Sequence, residues 1–364
     1  MQRRTILQSA LGLAVGTPLA AALNQGKLDA ACDALQQASD SKQVSAACLY
    51  VRQGETVVNQ NFGAATNADA IFLLASITKP IAIAAVMSLY DQQDFRLEDP
   101  VQKFIPEFSG DGRERIQMQH LFTHISGLPD QLPENQNLRT RHAPLSEFVE
   151  RAIRTPLLFA PASKYRYSSM GILLACEVAR RISGKPIAEL TDEVVFKPLR
   201  MTRSALGVGK LDIRSLVRCQ VASAAQESGS GDSSAKSWDW NSDYWRKLGT
   251  PWGGAHASTE NVARFLSAFL HPQGDFLKPD TARMMIQNHN PAGMHPRGLG
   301  FDVGKSLGGP AHAEVFGHSG ATGTLCWADP KSDSVFVVLT TLPAGAAKPH
   351  PRTIASEAAA QAIL

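Results

Sequence analysis

A nearly all-apolar run covers residues 80–90, directly after Ser76-Ile77-Thr78-Lys79. Apolar positions on every side of a helix predict one buried all round, not one with a solvent face. Residues 44–62 alternate in polarity around Gln53-Gly54-Glu55, which predicts an antiparallel hairpin. Leu97-Glu98-Asp99-Pro100 and Ile105-Pro106-Glu107-Phe108 read as turns. Helical spacing dominates from about 118 to 205, at 145–153, 169–182 and 187–195, with Gly184 and Pro186 as punctuation. Residues 222–237 are rich in Ser and Gly and predict a surface loop. Residues 264–270 close a helix, 335–339 form a β-branched strand after Asp329-Pro330, and 354–364 read as a terminal helix. Strands at both ends with helices between them predict an α/β (α+β) fold. Its antiparallel sheet comes from both termini, flanked by helices, with an all-helical subdomain inserted.

The N-terminus changes the picture at one end. Arg3-Arg4 precedes an apolar region, 6–19, and the small residues Ala20-Ala21-Ala22, the layout of an export signal with a cleavage site. Arg3-Arg4-Thr5-Ile6-Leu7-Gln8 is similar to a twin-arginine signal. The expectation is a signal peptide over 1–22, one domain over 23–364, and a bacterial periplasmic or extracellular location. The alternative is an uncleaved N-terminal anchor. No later segment approaches the ~20 apolar residues that span a bilayer.

Composition narrows the partners. With 44% hydrophobic and 19% charged residues over 364 positions, the chain has length and apolar content for a large core. The formal charge is +3, but without Arg3 and Arg4 there remain 34 basic and 33 acidic residues. A near-neutral domain gives no support for nucleic acid or an acidic membrane surface as partner. The expected partner is a small-molecule or peptide substrate, acted on by a monomer. Cys32, Cys48, Cys176, Cys219 and Cys326 are odd in number, widely spaced and without a Cys-x-x-Cys pair, so no zinc site or disulfide framework is expected. A single disulfide stays open. The ten histidines lack a spacing such as His-Glu-x-x-His, and neither metal nor cofactor is expected.

A serine three residues before a lysine on a first helical turn shares a face with it. Burial would desolvate that lysine, loosen its proton and let it activate the serine. The spacing alone is common: Ser39-x-x-Lys42 and Ser233-x-x-Lys236 match it in polar sequence. A helix N-cap is the plain reading of Ser76.

Several separated strings decide between these readings. They are Ala75-Ser76-Ile77-Thr78-Lys79, Leu121-Phe122-Thr123-His124-Ile125-Ser126-Gly127-Leu128, Tyr167-Ser168-Ser169, Pro198-Leu199-x-Met201, Gly253-Gly254 with Ser258-Thr259, and Gly317-His318-Ser319-Gly320-Ala321-Thr322-Gly323. In this order they resemble the serine β-lactamase-related superfamily, in the branch of class C β-lactamases, D-alanyl-D-alanine carboxypeptidases, D-aminopeptidases and esterases, over about residues 40–345. The resemblance implies a β-lactamase/transpeptidase-like fold and an acyl-enzyme on Ser76. It makes Lys79 and Tyr167 the proton-handling partners, with Tyr167 a base that needs a phenol pKa well below ~10. Which of the two takes the first proton stays open. The backbone N–H groups of Ser76 and Ala321 would form the oxyanion hole. Ser169, His318, Ser319, Gly320 and Ala321 would meet the substrate, His318 as a donor or cation, and Gly320 by leaving the strand edge open to it.

Two positions depart from the family pattern. Ser169 stands where an asparagine is usual, and His318 where class C enzymes carry lysine. Both tilt the expectation toward an esterase or D-amino-acid peptidase. The alternative is a catalytically weak module that binds cell-wall peptide. His124 and Ser126 are expected to support the fold. Trp238, Trp240, Trp245 and Trp252 would line an apolar cleft or pack a loop.

Overall fold

The computed structural model describes residues 23–363, apart from 275, 305–306 and 311–312. The expected signal over 1–22 lies outside the described residues.

The hairpin forms as its alternation predicts. Strand β1 (Ala46–Gln53) pairs antiparallel with β2 (Thr56–Gly63), and Gly54 makes the turn at φ +52°. Two further strands, β3 (Phe72–Leu73) and β4 (Ser204–Leu206), flank β5 (Ala255–Ala257) in a small sheet that the sequence did not predict. Strands this short carry too few residues for a period to show. From the C-terminal part come β6 (Asp302–Val303), β7 (Phe316–Gly320), β8 (Thr324–Asp329) and β9 (Ser334–Thr340). The main sheet runs β2-β1-β9-β8-β7-β6, so the N-terminal hairpin docks on the C-terminal strands through β1 and β9. Every residue of β9 is buried, because this central strand is covered on both faces.

Helix α1 (Gln25–Asp40) and the C-terminal helix cover one face. Leu28, Leu35, Ala355 and Ala359 pack there with Trp327, Phe336 and Val338 of the sheet. On the other face lie α2 (Thr78–Asp91), α3 (Leu145–Arg154), α4 (Ser169–Ser183) and α5 (Thr259–Leu270), sharing one large core. Residues 78–89 of α2 are all buried, the outcome its apolar sequence predicts. The helical run 187–195 holds, but after Thr191 it widens into a π-helical turn, Asp192–Phe196.

The loop over 222–237 contains two short 3₁₀ turns, Gln226–Ser228 and Ser233–Ser237. The four tryptophans after it are buried, and Trp240, Trp245 and Trp252 belong to the large core. Packing, not cleft lining, is their place. All five cysteines are free thiols.

Candidate active site

The site forms where the small sheet meets the large one. Strand β3 leads into a 3₁₀ turn, Ala75–Ile77, that feeds α2. Ala75 adopts a left-handed φ of +48°, uncommon for a residue with a Cβ. Neighbouring elements hold this bend from several sides. Leu74 N–H donates to Ala255 O at 2.8 Å, and Ala255 N–H donates to Thr78 Oγ1 at 2.9 Å. The hydroxyls of Thr322 and Thr324 reach across from the β7–β8 turn to Leu73 O and Leu74 O, each at 2.8 Å. Strain held by so many bonds is typical of a functional bend. Ser76 does not cap the helix: Ile77 precedes Thr78, and no side chain caps it.

Lys79 points back to Ser76, with Nζ 3.1 Å from Oγ and 2.8 Å from Trp252 O. Trp252 is held by an edge contact to Trp245 and a tilted ring contact to Phe148. The ammonium is 1% exposed and has no carboxylate in ion-pair range among the described residues. Burial therefore drives its pKa from 10.5 down to about 7; Asp130 pulls it up and Arg297 pushes it further down. A neutral amine can donate to Trp252 O and still offer its lone pair to the Ser76 hydroxyl.

Tyr167 stacks against the same amine, whose Nζ lies 4.7 Å from the ring centroid. Its pKa moves opposite to expectation. Burial pushes the phenol well above its usual value, and neither Arg297 nor the contact with Ser76 offsets this. A desolvated phenolate costs more than one cation at this distance returns, so the phenol is protonated.

Arg297 is the residue the sequence reading missed. It is 1% exposed and sits 5.8 Å from the Tyr167 ring centroid. Its Nη1 is ion-paired to Asp302, and its Nη2 faces His124 Nε2 at 3.1 Å and His318 Nε2 at 3.3 Å. Asp302 is partly buried, which would raise its pKa, but Arg297 and His295 overcome this and hold the carboxyl far below the carboxylate range. No motif marks Arg297 in the chain, since its partners come from four segments.

His318 is corrected accordingly. It is 2% exposed, and its Nδ1 lies 2.7 Å from Ser319 O, which can only accept. The ring proton is thus on Nδ1, while Nε2 takes a hydrogen from Arg297. Burial, reinforced by the charges of Arg297 and Lys79, lowers its pKa to about 3 despite Asp302, so it is not a cation. Ser169 also turns away from the expected contact. It is 2% exposed, and its Oγ and N donate to Asp130 Oδ1 at 2.5 and 3.0 Å. The space a side chain would need at Gly320 is filled by Thr324 Oγ1 and Leu74 O, 2.2 and 2.4 Å from an ideal Cβ. That glycine is required by the sheet-to-bend junction. Ser319 and Ala321 remain partly exposed beside Ser76.

His124 and Ser126 do brace the fold. His124, fully buried at φ +63°, accepts from Ser168 N–H at 3.2 Å, and Ser126 Oγ accepts from Leu128 N–H. His124 also packs on the Tyr167 ring, 4.6 Å between centroids. The other two Ser-x-x-Lys matches gather no such neighbours: Lys42 is exposed after α1, and Ser233 and Lys236 lie in a short surface turn.

Comparison with known proteins places this arrangement. The sequence profile of the Beta-lactamase family matches residues 29–361. The chain belongs to the β-lactamase family. Esterase EstB of Burkholderia gladioli is 33% identical over 209 residues, which cover 50% of this chain and 53% of EstB. The D-alanyl-D-alanine-carboxypeptidase/endopeptidase AmpH of Escherichia coli (strain K12) is 29% identical over 145 residues, 36% of each protein. The chain thus spans about half or less of these two curated relatives in alignment. Among solved structures, EstCE1, a hydrolase with promiscuous acyltransferase activity, superposes with a TM-score of 0.75 at 20% identity, covering 93% of this chain and 99% of EstCE1. The fold, an antiparallel sheet with helices on both faces, is the one EstCE1 has. Among the described residues no helix is long and apolar enough to cross a membrane, and no cluster of side chains is arranged for a metal ion.

Proposed function

We propose that this family member is an exported hydrolase that cleaves an ester or amide through an acyl-enzyme on Ser76. One observation carries the reading. The amine 3.1 Å from Ser76 Oγ is desolvated enough to be about half neutral near pH 7. Lys79 is then the first proton acceptor.

In acylation the Oγ–H proton moves to Lys79 Nζ while Oγ bonds to the substrate carbonyl carbon. The N–H groups of Ser76 and Ala321 receive the oxyanion. Collapse breaks the bond to the leaving group, which takes a proton from the Tyr167 phenol; the Lys79 ammonium restores that proton. In deacylation a water loses its proton to Lys79 and attacks the acyl carbon. Ser76 departs and regains the proton. Tyr167 thus works as a protonated relay, the form its burial favours. Ser319, partly exposed on β7, offers a hydroxyl to the substrate, while His318, Gly320 and Ser169 hold the walls.

Short acyl esters are the favoured substrates over β-lactams. The family's lysine and asparagine are replaced by a neutral His318 and by a Ser169 already bonded to Asp130. EstB, named an esterase, fits this preference. Export rests on the Arg3-Arg4 segment; fractionation of cells should place the protein in the periplasm with its N-terminus after Ala22.

A fluorophosphonate probe should label Ser76 alone, as read by peptide mass spectrometry. Ser76→Ala should lower hydrolysis of p-nitrophenyl butyrate by about 10³-fold or more. Wild-type rates in that variant would sink the mechanism.

A further inference from the structure

Arg139 is a further buried cation, and the proposed reaction does not use it. It lies on the short helix Asn135–Thr140, 1% exposed, with its guanidinium 3.7 Å from the Trp245 ring centroid. Trp245 in turn packs edge-on against Trp252, whose carbonyl holds Lys79, so the stack stands one layer behind the wall of the active site. Arg139 Nε, Arg139 Nη1 and Trp245 Nε1 are all buried, and none has a hydrogen-bond partner among the described residues. No carboxylate there comes within ion-pair range of Arg139. Burial lowers its pKa to about 10, so the guanidinium is charged at neutral pH.

The surrounding charges do not supply the partner. Arg246, on the same helix as Trp245 and also buried, donates to Trp240 O, Val217 O and Asn241 Oδ1. Arg141 pairs with Glu147, and Lys247 with Asp243. Tyr244 carries the exposed His142 on its ring and donates its hydroxyl to Ala143 O at 2.8 Å. Glu134, exposed at the start of the Arg139 helix, is in no ion pair. Glu227, on the turn Gln226–Ser228, is the carboxylate that acts on Arg139, yet it too lies beyond ion-pair range.

The three orphaned atoms are all donors. A water could accept from them, but its own two hydrogens would find no acceptor on these groups. An anion accepts from all of them and offsets the buried charge as well. We propose that the Arg139–Trp245 stack is a binding site for one small monovalent anion of about the size of chloride. The near-complete shielding of both side chains sets the size, and the single guanidinium sets the charge.

The test uses the full chain at a fixed ionic strength of about 0.2 M, with sodium gluconate, too bulky for the site, exchanged stepwise for sodium chloride. The wild type should show a saturating rise of about 3 °C in its melting midpoint, together with excess broadening of the chloride NMR line. Arg139→Gln should lose both responses, which separates the site from general salt effects. Trp245→Phe keeps an aromatic face under the guanidinium and removes one donor, so it should weaken chloride binding by about threefold to tenfold. That variant decides the matter if Arg139→Gln does not fold. Glu227→Gln removes a nearby negative charge and should tighten binding about threefold. A wild type indifferent to chloride in both readouts would overturn the proposal, as would an affinity unchanged in Arg139→Gln or in Trp245→Phe. Chloride dependence that arises only in Glu227→Gln would overturn it too, by giving the place on Arg139 to the Glu227 carboxylate.

Discussion

Two buried cations face Tyr167 from opposite walls of the site, and they have opposite fates. Lys79 on α2 and Arg297 before β6 are each 1% exposed, with their charged groups 4.7 and 5.8 Å from the same ring centroid. Arg297 has a carboxylate on its guanidinium and two neutral imidazoles beside it. Lys79 has a hydroxyl and a carbonyl, and no ion pair among the described residues. Burial without a counter-ion makes the lysine a base near neutral pH; burial with one makes the arginine a fixture. The lesson is that the partner, not the burial, decides what a buried cation does.

The strongest way to break this contrast is Lys79→Met. Activity on p-nitrophenyl butyrate should fall by about 10³-fold or more, while the fold gains about 2 kcal/mol at pH 7 in urea unfolding. The sign follows from the depressed pKa. Between about 7 and 10.5 the unfolded chain binds the Lys79 proton and the folded one does not, so wild-type stability from this group rises with pH. The gain in the variant should therefore shrink as pH approaches 10.5. A destabilised Lys79→Met would mean that both cations are structural.

Arg297→Met should do the reverse, costing about 3 kcal/mol because the partly buried Asp302 is left without its partner. Adding Asp302→Asn should recover part of that loss, measured by the same unfolding curves. A smaller effect concerns the coupling of the two walls. The acid limb of kcat/KM should lie near pH 7, and any Arg297 variant that folds should move it to higher pH, since the Arg297 charge helps expel the Lys79 proton. Asp130→Asn should move it lower, because Asp130 holds that proton on. Smallest of all, Ser169→Ala removes one of two hydrogen bonds to Asp130 and should cost about 1 kcal/mol of stability.

Elements with a long period were legible in the chain. The hairpin over 44–62, the buried helix after Ser76, the helices near 145 and 169, the end of the helix over 264–270, and the union of both ends in one sheet all follow from spacing and polarity. The three-stranded sheet did not, because two or three residues carry no periodicity, yet it is what bends the chain at Ala75. Ser76 and Lys79 were legible as a pair because one helical turn fixes their distance. Tyr167 was legible as a neighbour, but its protonation was not: that depends on how much water the fold removes.

The sequence by itself determined the family, the order of its motifs and the Ser76–Lys79 pairing, since all three rest on local spacing. Only the tertiary structure decided the charges. It brought His124 and His318 from distant segments to the Arg297–Asp302 pair, neutralised the histidines by burial, and turned Ser169 to Asp130. Charge state depends on solvent exclusion and on partners across space, and neither is written in the spacing of residues along a chain.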